Sequence, residues 1–146
     1  MNGIYGFTGP YRFLSNFLLV DVQLDGVTYR STEHAYQAAK TFDLNERSII
    51  QRLSRPADAK KYALGVKLRE DWDDVRWEIM FDLSCQKYSQ PKFSALLIET
   101  ADMYLEETNT WNDTYWGVCH GKGQNQLGKI LMVIRAELLA IQKQPN

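Results

Sequence analysis

Val20-Asp21-Val22-Gln23-Leu24-Asp25-Gly26-Val27-Thr28-Tyr29-Arg30-Ser31-Thr32-Glu33 is the stretch whose reading decides how this chain folds. Val20, Val22 and Leu24 alternate with Asp21 and Gln23, and beyond Asp25-Gly26 the alternation resumes with Val27 and Tyr29 against Thr28 and Arg30. A period of two places one set of side chains on one face of a strand. Asp-Gly accepts the left-handed dihedrals that a two-residue hairpin turn demands, so the segment reads as an antiparallel hairpin. Ser31 or Thr32 then stands as the N-cap of a helix running to about Phe42, with Ala35, Tyr36, Ala38 and Ala39 as helix formers or fillers. A hairpin feeds a helix directly.

Working outward, the pattern predicts helices at about Leu44 to Leu53, at Pro56 to Leu64 with Gly65 as the stop, and at Val75 to Tyr88. Pro91 opens a further short helix with Phe93, Leu96 and Leu97 on one face, and Met103 to Glu106 reads as a brief strand. Leu127, Ile130, Leu131, Ile134, Leu138 and Ile141 follow the three-and-four spacing of an amphipathic stripe and predict a last helix. Lys143 to Asn146 read as a loose tail. The expected architecture is α+β: one mostly helical domain over residues 1–146, with a small antiparallel β-hairpin or sheet.

Composition narrows the function classes. The 146 residues suit one compact domain, and 45% hydrophobic with 24% charged residues is ordinary for a globular chain. Lys and Arg total 17 against 18 Asp and Glu, which excludes the net basic field behind sequence-independent nucleic-acid binding; only a local groove, containing Arg12, Lys122 and Lys129, could serve. No apolar run approaches a membrane span of roughly 20 residues, and no charged-then-apolar leader opens the sequence, so no membrane contact and a cytoplasmic location are expected. Cys85 and Cys119 have neither metal-ligand spacing nor scaffold density and read as free thiols. His34 and His120 lack partners at ligand spacing, so no metal and no cofactor are expected.

Two constellations can carry chemistry. Glu33, Gln37 and Lys40 are four and three residues apart and share one helix face, offering an acceptor, an amide and a cation in a row; the bland alternative is a solvated face. Asn112-Asp113-Thr114-Tyr115-Trp116-Gly117 followed by Gly121-Lys122-Gly123-Gln124-Asn125 feeds the start of the last helix, where open N–H groups and the helix dipole favour phosphate; the alternative is a tight loop with a cap. Gly123 to Lys129 imitates part of a nucleotide-binding loop, but Ile130 stands where a hydroxyl must hold magnesium, so the match is a coincidence. Trp72, after the acidic run, and Trp116 lie beside polar loops where a ring could stack on a flat heterocycle, whereas Trp77 reads as core.

Taken together, Phe13-Leu14-Ser15-Asn16-Phe17, Thr32-Glu33-His34 with Gln37 and Lys40, Asp71-Trp72, Asn112-Asp113 with Tyr115-Trp116-Gly117, and the tail of Gly121, Gly123, Asn125, Leu127-Gly128, Leu131-Met132 and Arg135 resemble the NADAR (YbiA-like) family across nearly the whole chain. The resemblance implies an N-glycosidase without a metal, acting either on ribosylated intermediates of riboflavin biosynthesis or on ADP-ribosylated guanine. Its substrate is accordingly a small phosphoribosyl or ADP-ribosyl molecule, or ADP-ribosylated nucleic acid. Carried onto matching positions, it points to Glu33, Trp72 and Asp113, with Lys40, Asn16 and Trp116 nearby. Val66 after Gly65, and Val118-Cys119 after Trp116-Gly117, depart from residues common in relatives and bear on substrate rather than reaction class.

Cleaving a ribosyl C1–N bond builds positive charge on the sugar, so the chemistry asks for a carboxylate near C1 and a route for protons. The expected assignment gives Glu33 the role of base or cation stabiliser, and Asp113 that of the second carboxylate on a shared substrate. Lys40 serves as phosphate clamp or imine-forming nucleophile. Asn16, Trp72, Trp116, Gly121, Gly123 and Asn125 are expected to hold the substrate. A non-catalytic ADP-ribose or nucleotide-binding module is the rival, needing the tryptophans and glycines but not Glu33 as a base.

Overall fold

The computed structural model describes residues 2–145. In chain order the elements are β1 (Gly3–Tyr5), a 3-10 turn (Gly9–Leu14), β2 (Leu19–Leu24), β3 (Val27–Ser31), α1 (Thr32–Ala39), α2 (Leu44–Arg52), α3 (Pro56–Tyr62) with a 3-10 turn (Ala63–Gly65), α4 (Trp72–Ser89), α5 (Pro91–Glu99), β4 (Tyr104–Glu106), β5 (Thr108–Asn109), β6 (Val118–Cys119) and α6 (Gln126–Gln142). The fold is α+β and mostly helical, as expected, and divides into two compact units: Asn16–Lys87, and Met1–Ser15 with Tyr88–Asn146.

In the Asn16–Lys87 unit the hairpin stands where the alternation puts it. Val22 pairs with Tyr29 and Leu24 with Val27, and both turn residues are left-handed, Asp25 at φ 50 and Gly26 at φ 79. Val20, Val22 and Tyr29 are buried while Leu19, Asp21 and Gln23 face water. Ser31 caps α1, its Oγ accepting the His34 N–H at 3.0 Å. All of α1 is buried, packed against β2, β3, α2 and α3. Ala35, Ala38 and Ala39 have no exposed surface, and their small side chains let four elements close on one helix.

The helix stops at Ala39, short of the expected Phe42, because Asp43 is already the N-cap of α2, accepting the N–H groups of Asn45 and Glu46 at 2.9 and 3.1 Å. Phe42 is left 63% exposed in between. α4 begins at Trp72, ahead of the expected Val75, since Asp73 and Asp74 suit the positive end of a helix dipole and belong to its first turn. Trp77 departs from its expected place in the core: it is 37% exposed and stacks on Phe81 at 5.3 Å, both on the outer side of α4.

In the other unit, β1 runs parallel to β4, with Ile4 opposite Leu105, and β5 runs parallel to β6. α6 packs on β4 and α5 through Leu127, Ile130, Leu131 and Ile134, each of which contributes about 1.5–3 kcal/mol by leaving water. The stripe then runs out, with Ile141 exposed. Gly128 faces β4 so closely that a Cβ there would lie 2.2 Å from the Leu105 carbonyl, so the apparent nucleotide-loop glycine is a packing residue. The small antiparallel hairpin expected from sequence is β2 with β3, and among the described residues the parallel ladders β1–β4 and β5–β6 stand beside it, unforeseen because β1, β5 and β6 are too short to show any alternation. Cys85 and Cys119 form no disulfide. Lys143 and Gln144 are tied back to Leu139 and Ile141 at the end of α6, while Asn146 of the expected tail lies outside the described residues. Among the described residues, no helix is long and apolar enough to cross a membrane.

Candidate active site

Glu33 occupies the first turn of α1 and is 7% exposed. A carboxylate that far from water is costly unless donors face it, and one turn along the helix Gln37 supplies one, its Nε2 donating to Glu33 Oε1 at 2.7 Å. The Glu33 backbone N–H, an orphan donor of the helix start, is taken by the Asn16 carbonyl at 3.1 Å. Asn16 is anchored in turn through its Nδ2, which donates to the Met80 sulfur at 3.4 Å. The Glu33–Gln37–Lys40 face is therefore no solvated helix surface: the first two are buried and the third half-buried. Gln37 Oε1 is buried and has no hydrogen-bond partner, and the same holds for Thr32 Oγ1.

The far end of α1 is built around Lys40, its C-cap. Seven residues of helical rise put Lys40 about 10 Å from Glu33 along the axis, a gap that its long side chain spans in part. Lys40 Nζ lies 5.7 Å from the Tyr36 ring centroid, and Tyr36 meets Trp72 at 5.1 Å in a tilted pair. Arg69, which sequence reasoning passed over, fixes this end. Its N–H donates to the Lys40 carbonyl at 2.7 Å, and its guanidinium grips Asp71 through two bonds of 2.6 and 2.9 Å. The hydrogen bond to that guanidinium holds the Asp71 carboxyl below its ordinary range. A cation facing the last carbonyls of a helix is the signal that could have found Arg69. Trp72 is 6% exposed, so most of its ring is spent inside the unit rather than offered to a ligand.

The second group of candidate residues lies between β5 and α6. Asp113 Oδ1 accepts the N–H groups of Tyr115 and Trp116 at 3.2 and 2.9 Å, and Asn109 clasps the Asp113 backbone on both sides, at 2.8 and 3.1 Å. Both capping bonds land on one oxygen, which leaves Oδ2 outside the loop's own turn. Trp116 is buried with its edge toward Tyr115. His120 and Gly121, at φ 51 and 78, are the central pair of a tight turn closed by Cys119 and Lys122. Gly123 is set by backbone crowding, since a Cβ there would come within 2.1 Å of the Gly117 carbonyl. Asn125 spends its amide on the edge of β4, accepting the Glu107 N–H at 3.0 Å and donating to the Leu105 carbonyl at 2.9 Å. The N–H groups of Gln124, Asn125, Gln126 and Leu127 go to the carbonyls of Thr114, Gly117, Tyr115 and Trp116. This helix start is a closed cap, not the open phosphate cradle that its glycines suggest in the sequence.

Two sets of candidate residues are thus each assembled locally: Asn16, Glu33, Lys40 and Trp72 around α1, and Asp113, Trp116, Gly121, Gly123 and Asn125 in the loop before α6. A surface hollow of about 390 Å³, lined among others by Thr28, Arg30 and Arg52, contains none of them. The residue that sequence reasoning placed on the right face but left out of the site is Gln37. What α1 offers chemically is a buried carboxylate steadied by a neutral donor, next to an amide oxygen with no partner and two turns from a cation. Such a carboxylate can stabilise a growing positive charge or take a proton from water.

The chain is 38% identical over 143 residues to N-glycosidase YbiA of Escherichia coli, covering 95% of this chain and 88% of that protein. It is 34% identical over 132 residues to a riboflavin biosynthesis protein of Vibrio vulnificus, of which it spans 36%. The NMR structure of Escherichia coli YbiA superposes with a TM-score of 0.85 at 34% identity, covering 99% of this chain and 88% of that one. The NADAR domain model matches residues 5–139, and the chain belongs to the NADAR domain family.

Proposed function

We propose that this chain is an N-glycosidase hydrolysing the bond between C1 of a phosphorylated ribose or ADP-ribose and a base nitrogen. The observation that carries the reading is the buried Glu33 carboxylate with its Gln37 donor, found in a chain whose full-length relative is named an N-glycosidase. In the reaction the C1–N bond breaks and its electron pair leaves with the base, which gains a proton. Water adds to C1, and Glu33 takes the proton that the water releases while its charge faces the ribosyl cation. Asp113, through the oxygen that its own turn does not use, is the second carboxylate and either positions the ribose hydroxyls or passes the proton to the base.

Lys40 has two compatible jobs: a clamp on the phosphate, or, with an amino-linked riboside that opens to an imine, the amine that attacks the open sugar. Asn16 supports the Glu33 end of α1. Because the family match runs through both compact units, we take residues 1–146 as one functional domain. The riboflavin-pathway relative favours a ribosylamino-pyrimidine phosphate as substrate, free in the cytoplasm and handled without a metal or other cofactor, over ADP-ribosylated guanine in nucleic acid.

Base release from a ribosylamino-pyrimidine phosphate and from ADP-ribosylated guanine nucleic acid, measured side by side, tests the reading. We expect release from the first. Binding of either without release assigns the chain to the non-catalytic nucleotide-binding class instead. Borohydride added during turnover separates the jobs of Lys40, because only the imine leaves a reduced adduct on the chain.

A further inference from the structure

Gln37 is almost wholly buried, at 3% exposure, in the middle of the helix that carries Glu33. An ionised carboxylate only accepts hydrogen bonds, so the amide end that faces it must be the NH2 group, as the 2.7 Å contact to Glu33 Oε1 has it. That choice fixes the other end. The Gln37 carbonyl cannot turn toward Glu33 without setting two acceptors against each other, and it stands buried with no partner. A buried acceptor left without a donor costs of the order of 1–3 kcal/mol. Unpartnered polar atoms of this kind persist where a ligand satisfies them, and this one adjoins the carboxylate assigned to C1.

From this we infer that Gln37 Oε1 accepts the hydrogen bond of the substrate's ribose 2-hydroxyl, so that Gln37 sets preference for ribose over 2-deoxyribose. The inference rests on the proposed glycosidase reading, which puts Glu33 at C1; the hydroxyl next to C1 is the one on C2. Gln37 joins the two tasks, one end holding Glu33 in place and the other holding the sugar. A hydrogen bond at that hydroxyl gains strength as the ring becomes cationic, because the hydroxyl proton grows more acidic.

The test compares a ribosylamino-pyrimidine 5-phosphate with its 2-deoxy counterpart on the native chain and on Gln37→Leu and Gln37→Met, both close in volume, with melting temperatures to show that each variant folds. The 2-deoxy sugar is intrinsically easier to cleave, and comparing costs between chains cancels that difference. Deleting the hydroxyl should cost the native chain about tenfold more in kcat/KM than it costs either variant. Equal costs in native and variant chains overturn the inference. Calorimetric binding of ribose 5-phosphate and 2-deoxyribose 5-phosphate runs in parallel. If the native chain releases no base yet binds ribose 5-phosphate about tenfold more tightly, a preference that both variants lose, the glycosidase reading fails and Gln37 stands as the 2-hydroxyl acceptor. If it neither cleaves nor binds, both fall.

Discussion

Helix α1 and the loop before α6 look alike in sequence, each a polar run with a carboxylate and an amide, yet they spend their polar atoms in opposite ways. In the loop, Asp113 caps its own turn and Asn125 brackets β4, so the hydrogen bonds close on the protein. In α1, Glu33 accepts from Gln37, and the carbonyl of that same Gln37 amide is left buried with nothing to accept. A closed network stabilises the chain whether or not a substrate is present. An incomplete one costs stability until something completes it, which is the mark of a residue kept for function rather than for folding. The difference separates scaffold from site better than residue type does.

The contrast is broken most directly at Glu33. Glu33→Gln keeps the shape and a hydrogen-bonding end group but removes the charge, so we expect kcat to fall by about a thousandfold while the melting temperature stays within a few degrees of native. Rapid-quench measurement of base release together with calorimetry decides this. Native-level turnover in the variant would falsify the assignment of Glu33, and a collapse of stability would place Glu33 with the scaffold instead.

Asn125 is expected to show the reverse profile. Asn125→Ala strands the Leu105 carbonyl and the Glu107 N–H and puts an alanine at φ 53, which together should cost about 3 kcal/mol in urea unfolding. Under conditions where the variant is folded, its kcat should lie within about threefold of native; a much larger loss would return Asn125 to the site. Asp113 lies between the two cases and sharpens the line. Asp113→Asn keeps an acceptor for the Tyr115 and Trp116 N–H groups, so stability should hold to within about 1 kcal/mol, while loss of the charge lowers turnover by about tenfold. Turnover unchanged in Asp113→Asn but stability reduced in Asp113→Ala assigns the residue to its turn alone.

The same contrast explains what was legible in the sequence. The hairpin, α1 and α6 could be read because alternation, Asp-Gly and the three-and-four stripe are each local signals with one physical meaning. β1, β5 and β6 could not, since two or three residues carry no period, and the parallel partner of β1 lies far along the chain. In the site, the shared face of Glu33, Gln37 and Lys40 followed from helical spacing, but its burial did not, because the elements that cover α1 are set by tertiary packing. The glycines before α6 misled for a related reason. Gly123 yields close approach of backbone to backbone, and the sequence does not say which kind of atom a glycine lets in.

His34, the next residue after Glu33, gives the smallest effect and the finest test of how closed the scaffold around α1 is. Its Nε2–H donates to the Leu53 carbonyl at 2.8 Å, since a carbonyl can only accept, which leaves Nδ1 to accept from the Ser31 hydroxyl at 2.6 Å. The hydroxyl oxygen in turn accepts the His34 N–H, so a proton on Nδ1 has no acceptor without breaking the N-cap. Burial, more than any neighbour, pushes the imidazole pKa below its ordinary 6.5, with Arg30 adding to the shift and the Leu53 bond opposing it. The unfolded chain therefore takes up a proton on this ring before the folded chain does. The contribution of His34 to stability is complete above 6.5 and is lost as the pH falls below it toward the folded value. Melting temperatures taken between about pH 7.5 and 5 should fall more steeply for the native chain than for His34→Gln, which has no proton to gain. Parallel slopes would mean that the ring is protonated in place, and that the cap of α1 is looser than its hydrogen bonds describe.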